Sequence, residues 1–140
     1  MARHLAAPAL VAALLVSACG SEADRAAERT EDRIEQTADA SAAQAGDAIA
    51  ALGLTERQLL DAEIVDSAGA ELGDVERVLR NAGGTVDRLL VELEDSNPDR
   101  YVIVPIDGFE TVRRGDDTDL TSPMTGAQLD ALPAADLSTT

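Results

Sequence analysis

The sequence predicts a small, mainly β domain, an antiparallel barrel or sandwich, on three observations. Short β-rich runs recur between Ala62 and Ile106 at roughly ten-residue spacing, separated by Gly-containing turns. Leu89, Val91 and Leu93 alternate with Leu90, Glu92 and Glu94, so one face of that run is buried and the other turns polar. Most of the expected core falls in the same stretch and the rest just beyond it. Ile64, Leu72, Val75, Val78, Val86, Leu89, Val91, Leu93, Val102, Val104, Ile106, Phe109, Val112 and Leu120 are the expected core.

Four segments are expected along the chain: 1–18 a signal peptide, 19–53 a helical or disordered tether, 54–133 the β domain, and 134–140 a disordered tail. The first begins with the basic Met1-Ala-Arg-His and continues with an apolar run from Leu5 to Val16. That is a signal-peptide layout, too short to span a bilayer, which takes about 20 residues. It ends in Ser17-Ala18-Cys19-Gly20. Small residues immediately before a cysteine resemble the bacterial lipobox, in which cleavage between Ala18 and Cys19 follows transfer of a diacylglycerol to the thiol. Ordinary signal cleavage after Ala18 is the alternative, and it leaves the chain's one cysteine unpaired in an oxidising compartment. Lipidation of Cys19 consumes that thiol. Buried acyl chains contribute about 0.8 kcal/mol per CH₂, and two of them anchor a protein stably without crossing the membrane. Gly20 stands where enteric lipoproteins retained at the inner membrane carry Asp. That resemblance favours a periplasm-facing outer-membrane location over the inner membrane.

From Ser21 to Ala51 the chain is rich in Ala, Glu, Asp, Arg and Gln, with no Pro and one glycine, Gly46. These are good helix formers. Arg25–Glu28 and Arg29–Asp32 are spaced for i,i+3 pairing, worth a few tenths of a kcal/mol (~0.3) each. Ile34 and Ile49 are the only large aliphatics before Leu52, and the seven-residue pattern Ala27, Thr30, Ile34, Thr37, Ser41 is too polar for a coiled coil. The expectation is a solvated spacer helix, about 45 Å long if continuous, with a break at Gly46.

Thr55 with Gln58 three residues on reads as an N-capped helical turn leading into the first strand. Gly69 and Gly83-Gly84 mark turns that need positive φ, and Gly73 inside a strand marks a bulge or tight corner. Pro105 marks an edge strand or a strand end. Thr125 to Pro133 reads as one or two helical turns stopped by proline.

Charge and composition exclude whole classes of function. Eleven basic residues, all Arg, face 27 acidic ones for a net −16. Without Lys, and with Tyr101 and Phe109 as the only aromatics, the chain lacks both the basic patch and the stacking platform that nucleic acid requires. His4 and Cys19 are the only His and Cys. The β domain therefore has no imidazole or thiol for general-base, nucleophilic or zinc chemistry. No catalytic, cofactor-binding or metal residue is assigned, and no cofactor is expected. Asp95, Asn97 and Asp99 match the first half of an EF-hand loop, but Arg100 and Ile106 stand where Gly and Glu are required. Asp116, Asp117 and Asp119 form a second acidic turn.

Taken in order, Val65-Asp-Ser-Ala-Gly69, Leu72-Gly-Asp-Val75, Val78-Leu79, the Gly84 turn with Val86, Tyr101-Val-Ile-Val-Pro105 and Gln128-Leu-Asp-Ala-Leu-Pro133 resemble the PRC-barrel family. The resemblance implies a six-stranded β-barrel that acts as a protein-binding module without catalysis of its own. Glu94 to Arg100 replaces the Gly-rich stretch many members carry before the Val-Pro strand. The expected function is a membrane-anchored, non-enzymatic adaptor or scaffold of the bacterial cell envelope, with a protein partner. The alternative is a structural or stress-related envelope lipoprotein in which the acidic tether carries the role.

Overall fold

The computed structural model describes residues 21–138. The first helix, α1 (Glu22–Ala45), opens on a reciprocal cap: the Asp24 amide donates to Ser21 Oγ at 3.2 Å and the Ser21 amide to Asp24 Oδ2 at 2.9 Å. It closes at Gly46, φ 59°, whose amide donates to Ala42 O. The expected break thus falls at Gly46. A two-strand ladder, β1 (Ile49–Ala51) and β2 (Leu54–Thr55), leads into the short helix α2 (Glu56–Leu60), capped by Thr55 and Gln58 as the sequence predicts.

Six strands follow: β3 (Glu63–Val65), β4 (Glu71–Arg80), β5 (Val86–Leu93), β6 (Tyr101–Pro105), β7 (Glu110–Arg114) and β8 (Asp117–Thr121). They form one sheet in the order β6-β5-β4-β3-β8-β7, antiparallel except for the parallel pair β3–β8. Helix α3 (Gly126–Asp130) closes the module. The six-stranded β architecture is as expected, while the ladder ends at β6 on one side and β7 on the other instead of pairing shut. Pro105 lies on edge strand β6, where its missing N–H costs nothing.

A single apolar cluster fills the curl of the sheet. Ile64, Val75, Leu89, Val91, Val102, Val104 and Leu120 are its sheet contribution, with Leu59 of α2 and Leu129 of α3 at the ends. Two expected core residues sit elsewhere. Leu72 is half-buried at the rim, and Val112 is exposed, because β7 is an edge strand whose five residues all face solvent. Gly73 serves a close approach: a Cβ there would lie 2.1 Å from the Glu92 carbonyl oxygen on β5. The β3–β4 register shifts beside it, between Ile64 and Val65, as a bulge requires.

Three further expectations are corrected. Helix α1 is no solvated spacer: Ile34, Ala38 and Ala42 are buried, and the helix packs against β4 and α2. An i,i+4 stripe of one isoleucine and two alanines suffices because small side chains let the helix backbone approach the sheet closely, and the sheet supplies the bulk. The ion pairs Arg25–Glu28 and Arg29–Asp32 are not among those formed in the described residues. Exposed pairs gain little over hydration and lose side-chain freedom. The described part of the tail, residues 134–138, lies on β6, where Ala134 bridges Val102 and the Ala135 amide donates to Tyr101 O at 2.8 Å. Leu137 joins Ile34, Leu79, Leu90, Tyr101 and Ile103 in a second apolar cluster on the outer face of the sheet. Leu90, expected on the polar face, is therefore fully buried.

Candidate functional site

The outer face of the sheet, with α1 lying across it, holds the least ordinary chemistry in the molecule. At the C-terminal end of α1, Glu56 is 1% exposed. Its carboxylate accepts from Ser41 Oγ of α1 at 2.5 Å and from Arg80 Nη2 of β4 at 2.6 Å. Arg80 also donates to Gly84 O at 3.1 Å, so one buried ion pair ties α1, α2, β4 and the β4–β5 turn together. Partnered on both oxygens, the carboxylate is a structural clamp.

Further along α1 the character reverses. Glu31, Glu35, Ala38 and Asp39 of α1, Leu60 of α2 and its C-cap Asp61, and Val75 and Glu76 of β4 line an open cleft of about 360 Å³. Glu76 reaches it through backbone geometry. Val75 pairs with Val91 and Arg77 with Leu90, so Glu76 is the extra residue of a β-bulge. Bulges re-aim a side chain relative to the pleat. Here one turns a half-buried carboxylate toward the helix. Burial, and then the charges of Glu92, Asp74, Glu31 and Glu35, push Glu76 up to about 7. Glu92 on β5 is raised by burial and by Asp99 and Glu31, against a lowering hydrogen bond from Tyr101. Burial and Glu92 raise the Tyr101 phenol in turn, keeping it protonated.

Most residues singled out from sequence lie apart from this face; Asp99 is the exception, its charge helping to raise Glu92. Ala18 and Cys19 lie outside the described residues. Asp95, Asn97 and Asp99 sit in a β5–β6 loop that satisfies itself, with Ser96 Oγ donating to Leu93 O and accepting from the Arg100 amide. Arg100 reaches across to the Asp130 and Leu132 carbonyls. Asp119 is buried beside Arg114, whose Nε lies 3.2 Å from Oδ2 and whose Nη2 donates to Gly69 O. Oδ2 accepts no well-aligned hydrogen bond, which makes this contact a charge pair. Among the described residues, Glu71, Asp74 and Glu94 are the acidic group whose oxygens converge within 4.8 Å, all of them exposed. Glu71 is raised by desolvation and by Glu63, Glu94 and Asp74.

Sequence reasoning missed Ser41, Glu56, Arg80 and Glu76. The readable signal for Ser41 was the stripe Ile34, Ala38, Ala42, which places it on the same buried side of α1; Glu56 and Arg80 come from distant elements and have no such local signal. Nothing local marks Glu76, because its bulge depends on the register of β5.

A curled six-strand sheet with a core from both its strands and its flanking helices, and no His or Cys in residues 21–138, defines a small β module of the barrel class. The sequence profile of the PRC-barrel domain matches residues 55–128, more than half of the chain, and the chain belongs to the PRC-barrel family. Domains of this family are generally non-enzymatic modules. A search of curated proteins returned no match.

Proposed function

We propose that this chain is a membrane-anchored, non-catalytic protein-interaction module of the bacterial cell envelope, held by lipid on Cys19. Family membership supports the non-catalytic module, and the Ser17-Ala18-Cys19-Gly20 sequence behind an apolar leader supports the anchor. Among the described residues no helix is long and apolar enough to cross a membrane. The observation that carries the reading is the spacing between anchor and fold. The α1 cap, Ser21, follows Cys19 by two residues, and α1 is packed on the sheet. An acylated Cys19 then holds the PRC module close to the bilayer instead of at the end of a free tether. That packing disfavours the alternative in which an independent acidic tether carries the role.

The test is crosslinking and affinity capture of the full chain from its native membrane, alongside a Cys19→Ala variant and a chain lacking 54–133. A partner retained by the full chain and lost with the module supports the adaptor reading. A partner retained when 54–133 is removed overturns it in favour of the N-terminal segment.

A further inference from the structure

Helix α1 covers an apolar patch and a carboxylate cluster at once. Over the patch, Ile34 contacts a cluster of Leu79, Leu90, Tyr101 and Ile103. Around Glu76 the facing groups come from every neighbouring element. Glu31, Glu35 and Asp39 lie on α1, Asp61 follows α2, Asp74 and Arg77 lie on β4, Glu92 lies on β5, Tyr101 on β6, and Asp99 in the preceding loop. Among the described residues the one ion pair in this group is Arg57–Asp39, at 3.8 Å and at the clamp end of the helix. Arg77 forms none of the ion pairs. The seam is thus held by a narrow stripe (Ile34, Ala38, Ala42) beside a cleft lined by acids of one sign.

We propose that this seam is a proton-controlled latch. With Glu76 protonated, α1 stays seated over Leu79, Leu90, Tyr101 and Ile103; with Glu76 ionised, the N-terminal part of the helix lifts, pivoting on the Ser41–Glu56–Arg80 clamp. A neutral carboxyl is tolerated in a half-buried acidic cleft. Its anion must be either rehydrated or separated from Glu31 and Glu35, and lifting the helix achieves both, while Glu92 and Asp74 stay beside it on the sheet. The stripe opposing this is thin, one isoleucine and two alanines. The sign follows from linkage. The seated state holds the Glu76 proton up to about pH 7, whereas with the helix lifted the group is rehydrated and freed of Glu31 and Glu35 and loses it at lower pH, toward the ordinary 4.5. Seating is therefore complete at low pH, weakens as pH rises between those values, and is flat above them. The latch stands on the α1–sheet contact alone and does not depend on lipidation.

Hydrogen exchange of the full chain in detergent, corrected for intrinsic rates, tests the latch. Amide protection over residues 26–38 is expected to fall roughly tenfold between about pH 5.5 and about pH 8, while β4 and β5 keep theirs. The Glu76→Gln variant carries a permanent neutral amide and is expected to hold wild-type low-pH protection at both values. Equal loss of protection in wild type and Glu76→Gln overturns the proposal, as does no loss in wild type. A direct carboxyl ¹³C titration of wild-type Glu76 guards against a variant that misfolds. A midpoint near 7 is required, and a midpoint in the ordinary glutamate range overturns the latch.

Discussion

Glu56 shows how a single buried charge can be tolerated in a domain this small. Both carboxylate oxygens are bonded, one by the Ser41 hydroxyl and one by the Arg80 guanidinium. Removing one partner leaves the charge buried and uncompensated, at a cost of about 3 kcal/mol. Arg80 is partly exposed, so Arg80→Ala should lower stability by about 2–3 kcal/mol in urea unfolding, and Ser41→Ala by about 1 kcal/mol. Equal effects from the two would mean that the ion pair is no more than another hydrogen bond. Gly73 is the second residue with no substitute. Its missing Cβ leaves room for the Glu92 carbonyl at 2.1 Å from where that atom would stand, and backbone cannot yield as a side-chain tip can. Gly73→Ala should cost about 3 kcal/mol or leave the chain unfolded, read by circular dichroism. A near-neutral Gly73→Ala would contradict the tight β4–β5 approach.

Among the elements, those legible in the sequence owe their form to near neighbours. The Thr55/Gln58 cap fixes α2 within four residues, and the Asn81 side chain accepts from the Gly83 and Thr85 amides to shape the turn that Gly83-Gly84 announces. Alternation along Leu89, Val91 and Leu93 correctly gave one buried face. It misread Leu90, since what covers the other face comes from α1 and from Leu137, distant in sequence. Helix α1 was legible as a helix and illegible as a packed one, because two of its three buried residues are alanines, which carry almost no hydropathic signal. Ile34 is the third, and Ile34→Ala should destabilise by about 2–3 kcal/mol while raising binding of a hydrophobic dye. Unchanged stability would return α1 to the role of a solvated spacer. At the candidate site, the absence of imidazole and thiol was readable from composition, whereas the Glu76 bulge was not, since it is a property of strand register. Glu76 also gives the whole fold a pH signature. Protons held by the folded state and not by the unfolded chain make thermal stability fall as pH rises from 4.5 to about 7. The slope should shrink in Glu76→Gln, leaving the smaller contribution of the other raised carboxyls, Glu92 and Glu71, measured by thermal melts across that range.

At the scale of the molecule, the strand order leaves both β6 and β7 as edges, and the two are protected differently. β6 carries Pro105 and is bridged by Ala134, while β7 presents Glu110, Arg113 and Arg114 on an exposed surface. Charges and a proline are standard protection against edge-to-edge association. The net −16 adds self-repulsion to the same end. What the chain retains is a compact PRC module whose N-terminal helix is capped two residues after a candidate lipidation site. The most direct test of that placement is metabolic labelling with an alkyne fatty acid in the native cell, followed by membrane fractionation. Wild type should carry the label and sediment with membranes, and Cys19→Ala should do neither. An unlabelled wild type, or a Cys19→Ala chain that stays with the membrane, would contradict the proposed anchor.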